Sequence, residues 1–160
     1  MSIREVKAFF AARGMEGRVL EFDTSSATVE LAAQTVGVIP ARIAKTLSFM
    51  TPDGPLLVVT AGDAKIDNHK FKETFGCKAK MLTPEEAVEL IGHAVGGVCP
   101  FAVKAGVKTC LDHSLRRFST VFPACGSSNS AIELSCDELY ELSGALAWVD
   151  VCKGWQENEQ

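Results

Sequence analysis

Two apolar runs on either side of a tight turn constrain this fold more than any other part of the sequence. Residues 47–50 and 56–61 are mostly apolar, and they flank the turn Pro52-Asp53-Gly54-Pro55. Turn residues between two such runs predict a β-hairpin. We therefore expect at least part of the sheet to be antiparallel.

Further helix and strand signals alternate along the chain, without a repeat or a linker that would divide it. The predicted helix starts are capping residues ahead of helical spacing, at Ser2 with Glu5, Thr28, Asn68, Thr83-Pro84-Glu85-Glu86 and Ser135-Cys136-Asp137-Glu138. The predicted helix stops are Gly14, Gly37, Gly76 and Gly92. Short strands are predicted at residues 18–22, 107–111, 119–122, 131–134 and 147–151. Strands that come in groups, with helices between the groups, indicate a mixed α+β sheet more than a doubly wound parallel one.

Length and composition fit a single folded domain. The chain has 160 residues, of which 47% are hydrophobic and 22% charged, so it can bury a core without disulfides. The polar tail at residues 156–160 lies outside the domain predicted for residues 1–155. The first seven residues lack the apolar core of a signal peptide, and no stretch approaches the roughly 18 apolar residues of a membrane span. We therefore expect a cytoplasmic protein without membrane contact.

The six cysteines are predicted to be free thiols, because the expected compartment is reducing. Their spacing shows none of the close pairs that bind structural zinc, and the chain has only three histidines. Neither a metal site nor an organic cofactor is expected.

The net charge of −4 argues against a protein that coats nucleic acid with a broad basic surface. One segment is locally basic, with five lysines and only two acids, Asp67 and Glu73, within sixteen residues. The lysines of this segment are Lys65, Lys70, Lys72, Lys78 and Lys80. They suit either a phosphate-facing surface or an ordinary solvated helix face.

Lys45 is unusual because it lies in an otherwise largely apolar stretch, residues 41–49. If this stretch is a strand, its period of two places Lys45 on the same face as Leu47 and Phe49, which is expected to turn inward. Burial would lower the pKa of the lysine and favour an anionic or carbonyl partner. The alternative is a lysine whose stem covers the sheet edge while its amino group reaches water.

Four motifs in this order and spacing resemble those of the YbaK/ProX-type aminoacyl-tRNA deacylases, relatives of the editing domain inserted in bacterial prolyl-tRNA synthetases. The motifs are Ile43-Ala44-Lys45-Thr46-Leu47, Gly62-Asp63, Gly96-Gly97-Val98-Cys99-Pro100, and the segment from Gly126 through Ile132-Glu133-Leu134. The resemblance spans nearly the whole chain. It implies a mostly antiparallel, curved mixed sheet surrounded by helices, and hydrolysis in trans of the ester between a wrong amino acid and the 3′-terminal ribose of a tRNA. A synthetase is a further possible partner, and DNA is not.

The resemblance also assigns roles to individual residues. Lys45, Gly96 and Gly97 are the implied catalytic residues, since an ammonium group and the N–H groups of a glycine turn can stabilise the oxyanion of ester hydrolysis. The implied substrate-binding residues are Gly62, Asp63, Cys99, Pro100 and Gly126. Thr24, Ser26 and Thr46 are added as substrate-binding residues because they lie near the motifs, although serine and threonine at such places are equally typical of helix caps. The family mechanism uses a hydroxyl or thiol of the substrate in place of a side-chain nucleophile.

The sequence departs from the members that clear cysteine from tRNA(Pro) at one position before the Ile-Glu-Leu run. Ala131 stands where those proteins carry an aspartate, and Ser127-Ser128-Asn129-Ser130 replaces a more basic loop. The substrate therefore stays open between cysteinyl, alanyl, seryl and other esters.

Two other interpretations remain at the level of the sequence. Cys99 could be a nucleophile with His93 or His113 as its base, if the fold brought them together. Alternatively, the domain could bind a nucleotide, an aminoacyl-tRNA or a synthetase without turnover, since fold resemblance alone does not establish activity.

Overall fold

The predicted hairpin forms the centre of the main sheet. The computed structural model describes residues 2–26 and 28–155. Its strands are β1 (Val19–Glu21), β2 (Ile43–Thr51), β3 (Gly54–Ala61), β4 (Lys65–Ile66), β5 (Lys108–Asp112), β6 (Thr120–Pro123), β7 (Ser130–Ile132), β8 (Leu134–Ser135), β9 (Trp148–Val149) and β10 (Cys152–Lys153). Strands β2 and β3 pair antiparallel over eight positions, from Ala44 opposite Ala61 to Thr51 opposite Gly54.

The helices lie between groups of strands, as the sequence predicts. They are α1 (Ser2–Ala11), α2 (Val29–Val36), α3 (Asn68–Phe75), α4 (Pro84–Glu86) and α5 (Cys136–Leu142). Helix α4 continues into a wider turn of π-helix at Ala87–Ile91. No helix among residues 2–26 and 28–155 is both long enough and apolar enough to cross a membrane.

Both edges of the hairpin gain parallel neighbours. The main sheet has the order β8-β6-β2-β3-β5-β9, in which β6 is parallel to β2, β5 to β3 and β9 to β5. Strand β8 is antiparallel to β6, and two antiparallel ribbons, β1 with β7 and β4 with β10, lie beside the sheet. The predicted single-domain α+β class with a mixed, curved sheet is confirmed. Antiparallel pairing predominates in length because the hairpin is the longest ladder.

Aromatic side chains join the helices to the core. Phe71 of α3 packs against Phe49 of β2 with ring centroids 4.8 Å apart, and Phe10 of α1 packs against Phe101 at 4.9 Å. All four side chains are buried. Burying one such side chain stabilises a fold by about 1.5–3 kcal/mol, so these contacts fix α1 and α3 on the sheet.

Most of the predicted caps are confirmed. The side chain of Thr28 accepts the Leu31 N–H at the start of α2, and Thr83 and Ser135 each form a capping box at the start of α4 and α5. Helix α3 is capped by Asp67, one residue before the predicted Asn68. A side-chain oxygen satisfies one of the N–H groups that have no partner within the helix, which explains why these residues locate helix starts.

Three other details of the prediction are wrong. The single strand predicted at 131–134 is divided at Glu133 into β7 and β8, which pair with β1 and β6 respectively. Ser2 is the first residue of α1 and not its cap, and its hydroxyl donates to the carbonyl of Gly92 at 3.1 Å. The predicted last strand, 147–151, is interrupted because the Val151 N–H donates to the Asp112 carboxylate at 2.9 Å, and the chain then enters β10. The predicted polar tail at 156–160 lies outside the described residues, so the domain boundary stays a prediction.

Gly62 allows the chain segment before β2 to pack directly on the end of β3. A Cβ atom at this position would lie 2.1 Å from the Pro40 carbonyl oxygen and 2.6 Å from a methyl group of Val29. Both distances are far below van der Waals contact. We expect Gly62→Ala to lower the free energy of unfolding by about 1–3 kcal/mol, the usual cost of forcing an extra methyl group into a packed site.

Urea unfolding of Gly62→Ala beside Gly17→Ala measures this cost. Gly17 has ordinary backbone angles and open space around its would-be Cβ, so its variant should unfold almost as the wild type does. Equal midpoints for the two variants would contradict the proposed close contact.

Candidate active site

A cavity of about 310 Å³ opens beside the first half of β2. Its wall comes from α2 and the segment before it, from β2, and from three further segments distant in sequence. The wall segments lie within residues 22–36, 43–48, 81–82, 95–98 and 122–131. Of the predicted site residues, Lys45, Thr46, Ser26 and Gly96 belong to this wall.

The cavity exists because the outer edge of β2 is only partly covered. Strand β6 pairs with it at Ile43 and Ala44. Farther along, the Met50 N–H donates to the Lys80 carbonyl at 2.8 Å, and the Leu82 N–H donates to Ser48 at 3.0 Å. Residues 45–47 lie between these two partners and form the open part of the edge.

Thr46 presents its main chain to this opening. In a strand the N–H and C=O groups of alternate residues point to the same side, and Ser48 and Met50 use theirs on the outer side, so those of Thr46 point there too. The Thr46 hydroxyl oxygen is buried and has no hydrogen-bond partner within the described part of the chain. Thr46 therefore offers polar groups to a ligand that would lie along the edge of β2.

Lys45 lies on the other face of β2, where it is opposite Thr60 and shares its side with Leu47 and Phe49. The side chain is half-buried, and this burial lowers the pKa of the Lys45 amino group below its ordinary 10.5. The negative charge of Asp63 acts in the opposite direction and favours the charged form. The inward-facing lysine predicted from the sequence is thus found in the wall of the cavity.

Asp63 and Gly62 lie beside the cavity without lining it. The Asp63 carboxylate accepts two hydrogen bonds from the Arg117 guanidinium, at 2.5 and 2.9 Å, and both side chains are nearly buried. Charge-assisted bidentate pairs of this kind hold their geometry well. In this structure Asp63 anchors Arg117 and contributes a negative field at Lys45, while Gly62 packs against Pro40.

The glycine turn meets the cavity through its first glycine. Gly96 is exposed, lines the wall and has a left-handed backbone with φ of +97°. Gly97 is buried, and its N–H donates to the Ala94 carbonyl at 2.9 Å. A Cβ atom on Gly97 would lie 2.6 Å from the main chain of Gly126, so these two glycines allow the turn and the 126–130 loop to touch.

Cys99 and Pro100 are buried behind the turn. Burial raises the pKa of the Cys99 thiol to about 12, so it stays protonated at neutral pH. The thiol does lie near His93, at 3.6 Å from Nε2, but that nitrogen is 2.7 Å from the Phe101 carbonyl oxygen. A carbonyl only accepts, so Nε2 carries the proton and cannot take one from Cys99. The histidine and the cysteine are both fully buried, and this arrangement belongs to the core.

A serine-rich loop faces α2 across the cavity. The Ser26 N–H donates to the Ser128 carbonyl at 2.7 Å, and the hydroxyls of Ser25 and Ser128 are hydrogen-bonded to each other. The Ser26 hydroxyl also contacts that of Thr35 in α2 at 3.2 Å. Thr24, by contrast, is exposed and does not line the wall.

Sequence reasoning missed the apolar part of the wall. Val29 and Ala32 follow helical spacing in α2, which by itself is typical of any core-facing helix, and they meet Phe122 of β6. Met81 and Val95 line the wall and are 56% and 68% exposed. Ala131, the position where the sequence departs from the cysteine-clearing relatives, is also in the wall.

Comparison with known proteins gives a consistent result. A family model described as the aminoacyl-tRNA editing domain matches residues 23–142. The uncharacterized protein YwhH of Bacillus subtilis is 55% identical over 157 residues, which cover 98% of this chain and 100% of YwhH. The proline–tRNA ligase of Halalkalibacterium halodurans is 34% identical over 110 residues, which cover 68% of this chain and 19% of the ligase.

Solved structures agree with the family model. A protein proposed as a trans-editing enzyme for prolyl-tRNA synthetase superposes with a TM-score of 0.86 at 32% identity, covering 96% of this chain and 98% of the other. The hypothetical protein APE2540 gives a TM-score of 0.82 at 33% identity, covering 93% and 99% of the two chains.

The burial of Cys99 makes a labelling experiment informative. We expect iodoacetamide at neutral pH to leave Cys99 unmodified in the folded protein, because its thiol is inaccessible and protonated. Mass spectrometry of peptides measures the modification, and labelling in urea shows that the peptide can be detected. Rapid labelling of Cys99 in the folded state would contradict the structural role given to it here.

The buried charge of Lys45 should lower the stability of the fold. The pKa of Lys45 is lower in the folded protein than in the unfolded chain. At pH values between these two pKa values the unfolded chain binds more protons than the folded protein. The contribution of Lys45 to the free energy of unfolding therefore rises as pH rises through that interval. Below the pKa of Lys45 in the folded protein, the full cost of burying its positive charge is present. We expect Lys45→Met to unfold at a higher urea concentration than the wild type at pH 7, with a smaller difference at pH 10.

The exposed Lys108 provides the control for this comparison. Lys108→Met should shift the midpoint little at either pH. A destabilised Lys45→Met protein would show that the ammonium group gains more from its surroundings than burial costs.

Proposed function

The chain belongs to the aminoacyl-tRNA editing domain family, and from this premise we propose that it is a deacylase that hydrolyses the ester of a mischarged tRNA in trans. The main observation in support of this proposal is that one cavity brings together Lys45, the open edge of β2 at Thr46 and the glycine turn at Gly96. The similarity to part of several proline–tRNA ligases supports tRNA(Pro) as the RNA. The resemblance noted in the sequence implies alanine or cysteine as the amino acid removed.

Ester hydrolysis places a negative charge on the carbonyl oxygen in the tetrahedral intermediate. A half-buried ammonium group suits this charge, because electrostatic attraction is stronger where water is partly excluded. The Gly96 N–H is the second candidate donor, since the Gly97 N–H is engaged with Ala94. One aligned, preorganised donor lowers such a barrier by roughly 3 kcal/mol.

In this proposal Gly97 contributes to catalysis indirectly, by allowing the turn to pack closely, and not by donating a hydrogen bond to the substrate. Its lack of a side chain allows the turn to rest on Gly126, and Gly126 in turn rests on the main chain of Ser2 in α1. Pro100, buried after the turn, restricts φ and removes a main-chain donor. The turn is therefore held in one conformation before the substrate binds, which is what preorganised catalysis requires.

The wall contains hydroxyl groups but, among the described residues, no acidic side chain, histidine or cysteine. A base drawn from the substrate is compatible with this composition. A ribose hydroxyl could take the proton of the attacking water while it passes its own proton to the neighbouring ribose oxygen that leaves. The thiol of a cysteinyl ester could attack its own carbonyl, which breaks the ester C–O bond, transfers the thiol proton to the departing ribose oxygen and forms a thiolactone. The protein would then contribute position and charge stabilisation in place of a nucleophile.

The size and polarity of the cavity favour an amino acid with a small, uncharged side chain. Its volume of about 310 Å³ is at the lower end of the range of ligand sites, and it must also admit part of the ribose. Val29, Ala32 and Phe122 make one side apolar, and Ala131 adds a methyl group to the wall. The resemblance noted in the sequence implies a carboxylate at this position in the members that clear cysteine. Alanyl and cysteinyl esters are therefore the first substrates to test.

The test compares hydrolysis of a panel of mischarged tRNAs, led by alanyl- and cysteinyl-tRNA(Pro), by the wild type and Lys45→Ala. We expect kcat/KM for one ester to fall about 100-fold or more in the variant, the usual effect of removing an oxyanion-stabilising group. Lys108→Ala is the matched control, because it removes an exposed lysine outside the cavity.

Equal rates for wild type and Lys45→Ala on every ester would contradict the proposal. Tight binding of an uncleavable aminoacyl-adenosine analogue without turnover of any ester would instead favour the non-catalytic binding module.

A further inference from the structure

Two lysines face each other across the short ribbon formed by β4 and β10. Lys65 of β4 is directly opposite Lys153 of β10, and both side chains are exposed. Side chains directly opposite in an antiparallel pair have Cβ atoms about 5 Å apart, and like charges at such positions destabilise the pair. Folding alone gives no reason for this arrangement.

The acidic residues nearby are largely occupied by other groups. Asp63 binds Arg117, and Asp150 binds the Lys70 amino group at 3.1 Å. Asp67 caps α3 by accepting hydrogen bonds from the N–H groups of residues 69 and 70. The charge of Lys153 contributes to lowering the pKa of Asp67, but the two side chains form no ion pair. Neither Lys65 nor Lys153 forms an ion pair with any residue in the described ranges.

The ribbon adjoins the cavity. Lys45 in the cavity wall is opposite Thr60, one residue before the end of β3. The turn that follows β3, in which the Ala64 N–H donates to the Ala61 carbonyl at 3.1 Å, leads directly to Lys65. The charges of Lys65 and Asp63 both act on the pKa of Lys45, in opposite directions, in agreement with this short separation along the chain. We therefore expect that a ligand with one end in the cavity and a negative charge just outside it would bring that charge close to Lys65 and Lys153.

Three more exposed lysines follow strand β4 in the chain. Lys72 lies on α3, and Lys78 and Lys80 lie between α3 and the cavity rim, where Met81 follows Lys80. The one other acid of this stretch, Glu73, pairs with His69 at 2.9 Å. The basic segment noted in the sequence thus begins at the ribbon and ends at the cavity rim.

We propose that Lys65 and Lys153 bind the RNA phosphates next to the esterified 3′ end of the substrate. The inference rests on the proposed deacylase function. An acidic protein would then hold the end of an RNA through one small cationic surface, where phosphate oxygens relieve the repulsion between the two lysines. Binding would align the terminal ribose with the cavity.

A direct binding measurement tests the ribbon separately from catalysis. The probe is a short single-stranded RNA with a 5′ fluorophore and alanine joined to its 3′ end through an amide, which cannot be hydrolysed as an ester. We expect the double variant Lys65→Gln/Lys153→Gln to bind it roughly tenfold more weakly than the wild type at low salt, and with a shallower salt dependence. Two lost contacts to single-stranded RNA should reduce the slope of log K against log salt by about 1.4.

The matched control removes two positive charges from another surface. Lys7 pairs with Glu21, and Arg13 lines a separate cleft with Glu138 and Glu141, so Lys7→Gln/Arg13→Gln should bind RNA as the wild type does. Equal losses in both double variants, or no loss in the ribbon variant, would overturn the proposal. A wild type that does not bind the RNA would overturn it as well.

Kinetics distinguish this inference from the function on which it rests. The ribbon variant should raise KM for the aminoacyl-tRNA about tenfold with little change in kcat, and it should hydrolyse phosphate-free aminoacyl-adenosine as the wild type does. Loss of activity on the phosphate-free ester would show that the two lysines act on the cavity itself, and would overturn the phosphate role. If the wild type hydrolyses no ester, the deacylase function fails, while the binding measurement with the fluorescent RNA still decides whether the ribbon binds RNA.

Discussion

The register of the β2–β3 hairpin is the constraint on which the rest of this structure depends. Side chains alternate along a strand, so a shift of one residue would exchange the two faces of β2. In the observed register Lys45 turns to the same side as Leu47 and Phe49, and the main chain of Thr46 points to the outer edge. Strand β6 and residues 80–82 then cover that edge on either side of the opening. The cavity is therefore a consequence of where the neighbours of one strand begin and end.

Close contacts between glycines position the other side of the cavity. The turn rests on the 126–130 loop at Gly97 and Gly126, and the loop rests on α1 at Ser2, with no side chain between the main chains. The same loop binds the segment before α2 through Ser26 and Ser128. Helix α1, the two loops and α2 thus form a continuous set of contacts around the cavity. A small movement of the turn would alter the direction of the Gly96 N–H group.

Electrostatics divide the polar groups of this region into those that stabilise the fold and those that remain for a ligand. Arg117 and Asp63 satisfy each other where both are nearly buried, and His93 donates to a main-chain carbonyl. Lys45 is half-buried with a lowered pKa, and the Thr46 hydroxyl has no partner within the described residues. A buried polar group that lacks a partner is costly for folding alone, so the Thr46 hydroxyl beside a half-buried lysine in one wall is typical of a binding site. Nδ1 of His93 and Nε1 of Trp155 also have no partner within the described residues, but neither residue lines the wall. The exposed Lys65 and Lys153 extend the same reasoning to the surface.

The sequence by itself determined the local features of this protein: the hairpin, most helix starts and stops, and the inward direction of Lys45. Each depends on a few consecutive residues, through turn chemistry, capping or the period of two. Only the tertiary structure decided that Asp63 binds Arg117, that Cys99 lies in the core, and that Gly97 serves by its close contact with Gly126. It also decided that Val29 and Phe122 line a cavity and that Lys65 faces Lys153. These features depend on contacts between segments far apart in the chain, and no local pattern of side chains specifies which distant segment a given residue will meet.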